Sequence, residues 1–115
     1  MEESPRRTWV IAHAAELVEL AAKFGARRMC LCGSVARRTD TDKSDIDFYV
    51  WDFDGGEPGT IESLEARRRA DDLVKAIRAM CPYNVDVRGI PGWLLDPPFE
   101  LTMRRDAVDL RELMP

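Results

Sequence analysis

The apolar residues of this chain repeatedly change their period, and that alternation limits the fold more than any other feature. Trp9, Val10, Ala14, Leu17, Val18, Ala21 and Phe24 recur at spacings of three and four, the repeat of one helix face. Ser4-Pro5 offers a cap and a first-turn proline, and Gly25 ends the pattern, so a helix is predicted over 5–24. Met29-Cys30-Leu31-Cys32 is a short continuous apolar run, read as a buried strand that stops at Gly33-Ser34. Residues 35–38 read as a short helix and 39–45 as a polar loop. Ile46, Phe48 and Val50 then alternate with Asp47, Tyr49 and Trp51, the period of a strand.

A turn-rich stretch, DFDGGEPG, covers 52–59. Thr60 caps a second predicted helix with Ile61, Leu64, Ala70, Leu73, Val74, Ile77 and Met80 on or near one face, closed by Cys81-Pro82. Residues 84–88 (NVDVR) alternate as a third strand. In the tail, 99–105 reads as a helical turn or two and 107–112 (AVDLRE) as a short final strand. Helices alternating with strands make this an α/β chain.

With 115 residues, one domain spanning 1–115 is expected, without a separate substrate-binding domain. A hydrophobic fraction of 45% suffices for a core that needs neither disulfide nor structural metal. Seventeen basic residues against 21 acidic give a net charge of −4, which argues against general attraction to a phosphate backbone; no direct nucleic-acid binding is expected. Three cysteines, two of them in Cys30-x-Cys32, form no disulfide framework and are expected in or near the core. No apolar run approaches the roughly 20 residues of a membrane span, and MEESPRRT lacks the apolar stretch of a secretory signal. A cytoplasmic protein without membrane contact is the expectation.

Chemistry concentrates in Gly33-Ser34, ten intervening residues, and Asp45-Ile46-Asp47. On a strand, Asp45 and Asp47 leave the same face with Cα atoms roughly 6.5–7 Å apart. Two carboxylates that close repel unless a cation lies between them. Hard oxygen donors, few in number, suit Mg²⁺, which completes its shell with waters and substrate phosphates. At Gly33-Ser34 the missing side chain lets a phosphate approach the backbone at a helix start. A phosphate cradle facing a carboxylate pair is suited to phosphoryl or nucleotidyl transfer. Asp86, between Val85 and Val87, points to the same face if the strands neighbour one another with apolar residues down; it would help hold a second metal and take a proton from an attacking hydroxyl.

Cys32-Gly33-Ser34-x10-Asp45-Ile46-Asp47-Phe48 resembles the signature of the DNA polymerase β nucleotidyltransferase superfamily. The order and size of the elements are similar to its minimal nucleotidyltransferases, bare catalytic domains that are often paired with a helical HEPN-domain protein in toxin–antitoxin modules. The resemblance covers about residues 10–110. It implies a mixed sheet with helices mainly on one side, and use of ATP with two Mg²⁺. Gly33 and Ser34 would lie at the triphosphate, with Arg37 as a further nucleotide contact, Asp45 and Asp47 on metal, and Asp86 as third carboxylate. It also implies transfer of AMP to a hydroxyl of a HEPN-type toxin partner, silencing it. Relatives commonly read Gly-Ser-x-Ala-Arg-Gly; here Arg38 stands where that last Gly is usual.

Competing readings are weaker. A calcium loop from Asp40 fails, because its sixth position is Asp45 instead of Gly and its twelfth is Trp51 instead of Glu. Ser34 has no His or Lys placed to activate it as a nucleophile. Arg37, Arg38 and Lys43 could neutralise triphosphate charge or merely balance nearby aspartates. Arg67-Arg68-Arg69 reads as a solvated helix face, His13 as structural, and Trp9, Trp51 and Trp93 as core or interface aromatics. A small-molecule nucleotidyltransferase of the antibiotic-modifying kind and a non-catalytic antitoxin acting by contact are the rival functions.

Overall fold

The computed structural model describes residues 3–53, 61–88 and 106–114. Its elements run α1 (Pro5–Lys23), β1 (Ala26–Cys32), α2 (Gly33–Arg37), β2 (Ile46–Phe53), α3 (Ile61–Met80), β3 (Val85–Arg88), β4 (Val108–Asp109) and α4 (Leu110–Leu113). The four strands form one mixed sheet in the order β3-β2-β1-β4. β2 is antiparallel to β1 and parallel to β3, and β1 is antiparallel to β4. The α/β reading with a mixed sheet and helices gathered on one face therefore holds.

Helix α1 starts as its sequence dictates. The Ser4 hydroxyl accepts a hydrogen bond from the Arg7 N–H at 3.1 Å, and Pro5 occupies the first turn, where its missing N–H costs nothing. Val10, Ala14, Leu17 and Ala21 form its buried stripe. Gly25, at φ 91°, turns the chain into β1. In α3 the buried positions are Ala70, Leu73 and Ile77, whereas Leu64 is 61% exposed. Of the apolar face drawn from Ile61 onward, the described side chains are buried from Ala70, and the side chain of Ile61 lies outside the described ones.

Alternation divides the sheet into two unlike faces. Met29, Leu31, Ile46, Phe48, Val50 and Val85 join the core with α1 and α3. Cys30, Cys32 and Tyr49 make a separate small cluster, because neighbouring residues on a strand point to opposite faces. All three of those side chains are almost fully buried.

Two boundaries differ from expectation. β2 continues through Phe53, so 52–53, read as turn, are strand; residues 54–60, including the cap assigned to Thr60, lie outside the described residues. The final strand is only two residues long, and the chain then coils into α4. The reason is local: the Asp109 carboxylate accepts from the Arg111 N–H at 2.9 Å, which is an N-cap, and Leu110 buries itself as the first helical residue. The helical turns read over 99–105 also lie outside the described residues.

Helix α2 ends in a strained residue. Arg38 adopts the left-handed conformation (φ 64°, ψ 33°), and its N–H caps the carbonyls of Ser34 and Val35. A residue with a Cβ pays about 1–2 kcal/mol there, and glycine does not. Among the described residues, an exposed ion pair between Arg38 and Glu3 (3.4 Å) offsets this, and exposed pairs contribute little. Arg38→Gly should therefore raise stability by about 0.5–1 kcal/mol after the entropy of the freer unfolded chain is subtracted. A urea midpoint at or below that of the wild type would contradict this account.

Candidate functional site

The site is built where β1 ends, α2 begins and β2 and β3 start. Cys32 closes β1 with extended backbone, and Gly33 turns at φ 68° into α2. The N-cap residue Cys32 makes no side-chain hydrogen bond to this helix start. Cys32 pairs with Asp47 across β1 and β2. A Cβ placed on Gly33 would run into the Asp47 carboxylate, with Cγ at 3.1 Å. Glycine is required here twice over, for its backbone angle and for the approach of an acid.

Asp47 and Asp86 are directly paired in register between the parallel strands β2 and β3. Their neighbours Ile46, Phe48 and Val85 point into the core, so both carboxylates belong to the sheet face turned away from the helices. Both are half-buried. Across that face run Asp86, Asp47 and Cys32, then the turn at Gly33.

Asp45 is placed differently. The strand begins at Ile46, whose N–H donates to the Asn84 carbonyl at 2.9 Å, so Asp45 stands one residue before it and is exposed. The premise that Asp45 and Asp47 are two apart on one strand does not hold. Asp45 instead borders an open cleft with Arg78, Tyr83, Asn84 and Val85. Among the described residues no three His, Cys, Asp or Glu side chains converge as a ready-made metal centre. The donors that adjoin by register are Asp47 and Asp86, and one or two carboxylates with phosphate oxygens and waters is the set that Mg²⁺ takes.

Beside Asp47 lie the two buried thiols. Burial pushes Cys30 from 9.0 up to about 12, aided by the charges of Asp109 and Glu112. Burial does the same to Cys32, aided by Cys30, Asp47 and Asp106. Both stay protonated in the folded protein at neutral pH, as expected of core cysteines, and neither is a nucleophile. Above pH 9 the unfolded chain releases these protons while the folded one holds them, so stability falls as pH rises from about 9 towards about 12. A Cys30→Ala/Cys32→Ala variant should lose less of its urea midpoint between pH 8 and pH 11 than the wild type. Parallel decline of the two would remove the thiols as the cause.

The remaining candidates divide. Ser34 is in the first turn of α2, and its carbonyl accepts from the Thr39 N–H at 2.9 Å. Arg37 points from the last turn of α2 to Asp106, Nη1 to Oδ2 at 3.0 Å. Of the two roles open to Arg37, the described contact is charge balance with an aspartate far away in sequence. Of the three arginines read as a solvated face, Arg67 and Arg68 are exposed, whereas Arg69 is half-buried and its side chain lies beside Gly25. His13 is structural: its Nδ1 lies 2.8 Å from the Trp9 carbonyl and its ring stacks on Trp9. Sequence reading passed over Arg6 and Arg7, which reach from the first turn of α1 to the loop before β2 and to the end of α2. One signal was present: cations in a helix's first turn oppose its dipole, and this turn holds two arginines and no acid.

No family model and no curated protein matches the chain. Solved structures do. The chain is 26% identical to a protein provisionally named a minimal nucleotidyltransferase, covering 89% of this chain and 93% of that one, with a TM-score of 0.58. A provisionally named nucleotidyltransferase from Sulfolobus solfataricus is 23% identical over 90% of this chain and 80% of its own, with a TM-score of 0.53. The fold is that of the minimal nucleotidyltransferases, and the likeness supports nucleotidyl transfer as the general class. No described helix is long and apolar enough to cross a membrane.

Proposed function

We propose, with the nucleotidyltransferase fold as premise, that this chain transfers AMP from ATP to a hydroxyl of a partner protein. The observation that carries the reading is the register pairing of Asp47 with Asp86 beside a glycine whose missing side chain admits Asp47. Two half-buried carboxylates on adjacent strands, on the sheet face turned away from the core, are suited to divalent-cation chemistry.

In this reading Asp47 and Asp86 hold Mg²⁺, with Asp45 as the further carboxylate at the mouth. When bound, the ions would polarise the α-phosphate and neutralise charge on the leaving pyrophosphate. The backbone at Gly33 and Ser34 takes the triphosphate. Arg37 joins it by exchanging Asp106 for phosphate oxygen. Asp86 orients the attacking hydroxyl and accepts its proton. Catalysis of this kind is mostly positioning and charge neutralisation, within reach of a small domain.

The acceptor is the finer part of the proposal. The described residues supply metal donors and a phosphate turn but little that would recognise a second substrate. A HEPN-type toxin encoded beside this chain is the partner that fits, which makes the chain an antitoxin. The test is a mass measurement after incubation with ATP, Mg²⁺ and the product of the neighbouring gene. An addition of about 329 Da per transfer on the partner, the mass of an AMP group whose phosphoryl bond this chemistry forms, is expected. No adduct with any of the four NTPs would overturn the reading. Neutralisation of the partner by an Asp47→Ala variant as fully as by the wild type would favour inhibition by contact alone.

A further inference from the structure

We infer that Arg6 and Arg7 of α1 are positioning residues, clamping together the three segments that carry the Gly33 turn, Asp47 and Asp86. The functional half of this inference rests on the nucleotidyltransferase reading. Its structural half does not.

The contacts are specific. Arg6 Nε donates to the Ser44 carbonyl at 2.7 Å and Nη2 donates to the Asp42 carbonyl at 2.6 Å. The same guanidinium lies over the Tyr83 ring, 4.9 Å from its centre. One side chain therefore joins the loop entering β2 to the turn entering β3. Arg7 is buried, with Nη1 donating to the Val35 carbonyl at 3.1 Å and to the Ala36 carbonyl at 3.3 Å. Its Nε faces the Glu3 carboxylate at 3.0 Å, near enough for an ion pair but not aligned as a hydrogen bond. These carbonyls belong to the last turn of α2, whose first residue is Gly33.

The 39–45 loop has few anchors of its own. Thr41 and Ser44 bond each other within it, N–H to Oγ at 2.8 Å, but that fixes only its shape. Its ends are tied to α2 by the Thr39 N–H on the Ser34 carbonyl and to the turn before β3 by the Ile46 N–H on the Asn84 carbonyl, and its middle, at 42–44, is tied to α1 by Arg6. The two arginines also sit where a helix prefers acids. Their contribution is therefore sought outside the helix, in four hydrogen bonds to carbonyls and a ring contact. A guanidinium can fork to two carbonyls and stack at once, and an ammonium cannot. Misplacing a phosphate turn relative to its carboxylates by an ångström can cost a large factor in rate and affinity.

The test compares Arg6→Met, Arg6→Lys and Arg7→Lys with wild type by amide hydrogen exchange without ligand, and by titration with Mg·ATP. Arg6→Met should speed exchange over 39–46 by about tenfold or more while leaving β1 and the middle of α1 unchanged. Arg7→Lys should do so over 34–38 instead. The Mg·ATP dissociation constant of Arg6→Met should rise about tenfold, with Arg6→Lys between it and the wild type. Unchanged exchange at 39–46 in Arg6→Met, or equal acceleration throughout the chain, would overturn the clamp. Unchanged Mg·ATP affinity in Arg6→Met would overturn its role in the site. A wild type that binds none of the four Mg·NTPs would instead defeat the nucleotidyltransferase reading, and exchange would still decide whether the clamp exists.

Discussion

Asp47→Asn should reduce nucleotidyl transfer by about 10³-fold or more while leaving the protein folded. Asparagine keeps the size of the side chain, so it still fits against Gly33, where a larger group would not. What it removes is the charge. Loss of one preorganised electrostatic group at a reacting centre costs about 10²–10³-fold, and a metal donor contributes to cation binding as well. Asp86→Asn should act in the same direction, because the two residues are paired in register on one sheet face. Asp45→Asn should cost less, since Asp45 stands outside the strand and is exposed. Ligand binding to the folded state alone raises its melting temperature. Mg·ATP should thus stabilise the wild type against heat and leave Asp47→Asn and Asp86→Asn nearly unmoved. Equal stabilisation of all three proteins would mean that these carboxylates do not hold the nucleotide's cation.

Which parts of this could be read in advance follows from how far apart in the chain each contact lies. The helix over 5–23, the strand ending at Cys32 and the alternation of Ile46, Phe48 and Val50 are local patterns, and period alone locates them. The facing of Asp86 was legible too, because Val85 and Val87 had to point into the core and left one direction for the acid between them. Period could not supply the offset between strands. That Asp86 lies against Asp47 and not against Tyr49 is set by the turn before β3, where Asn84 accepts from the N–H of Ile46. The start of β2 was misplaced by one residue, leaving Asp45 just outside it, for a related reason. An Asp-x-Asp spacing looks the same whether the strand begins before the first acid or after it. Arg6, Arg7 and the Arg37–Asp106 pair were invisible, since their partners lie 28 to 69 residues away or are backbone carbonyls that no residue type marks. Arg38 is the instructive case. Its identity raised a question about the local turn, and the structure shows that the turn survives with the arginine forced into a glycine's conformation.

The second large effect is expected at Gly33, and it separates the two reasons for a glycine there. Gly33→Ala places a Cβ where the Asp47 carboxylate now lies and keeps φ near 68°, which L-residues adopt at a cost of about 1–2 kcal/mol. Moving the acid aside is not cheap. Asp47 is held through its backbone by pairing with Cys32 on one side and Asp86 on the other, so only its side chain can rotate. Overpacking of this kind adds about 1–3 kcal/mol, and a total loss of roughly 2–4 kcal/mol is expected, with transfer abolished. Combining Gly33→Ala with Asp47→Ala removes the collision and leaves only the backbone strain. The double variant should therefore be more stable than the sum of the single effects allows, by about 1–2 kcal/mol, as residues in contact usually are. Urea unfolding of the four proteins measures this directly. Additivity within about 0.5 kcal/mol would show that Gly33 is needed for its backbone alone. Coupling would show that the turn and the acid form one unit, with the glycine present so that a carboxylate can reach the place where phosphate and cation would meet.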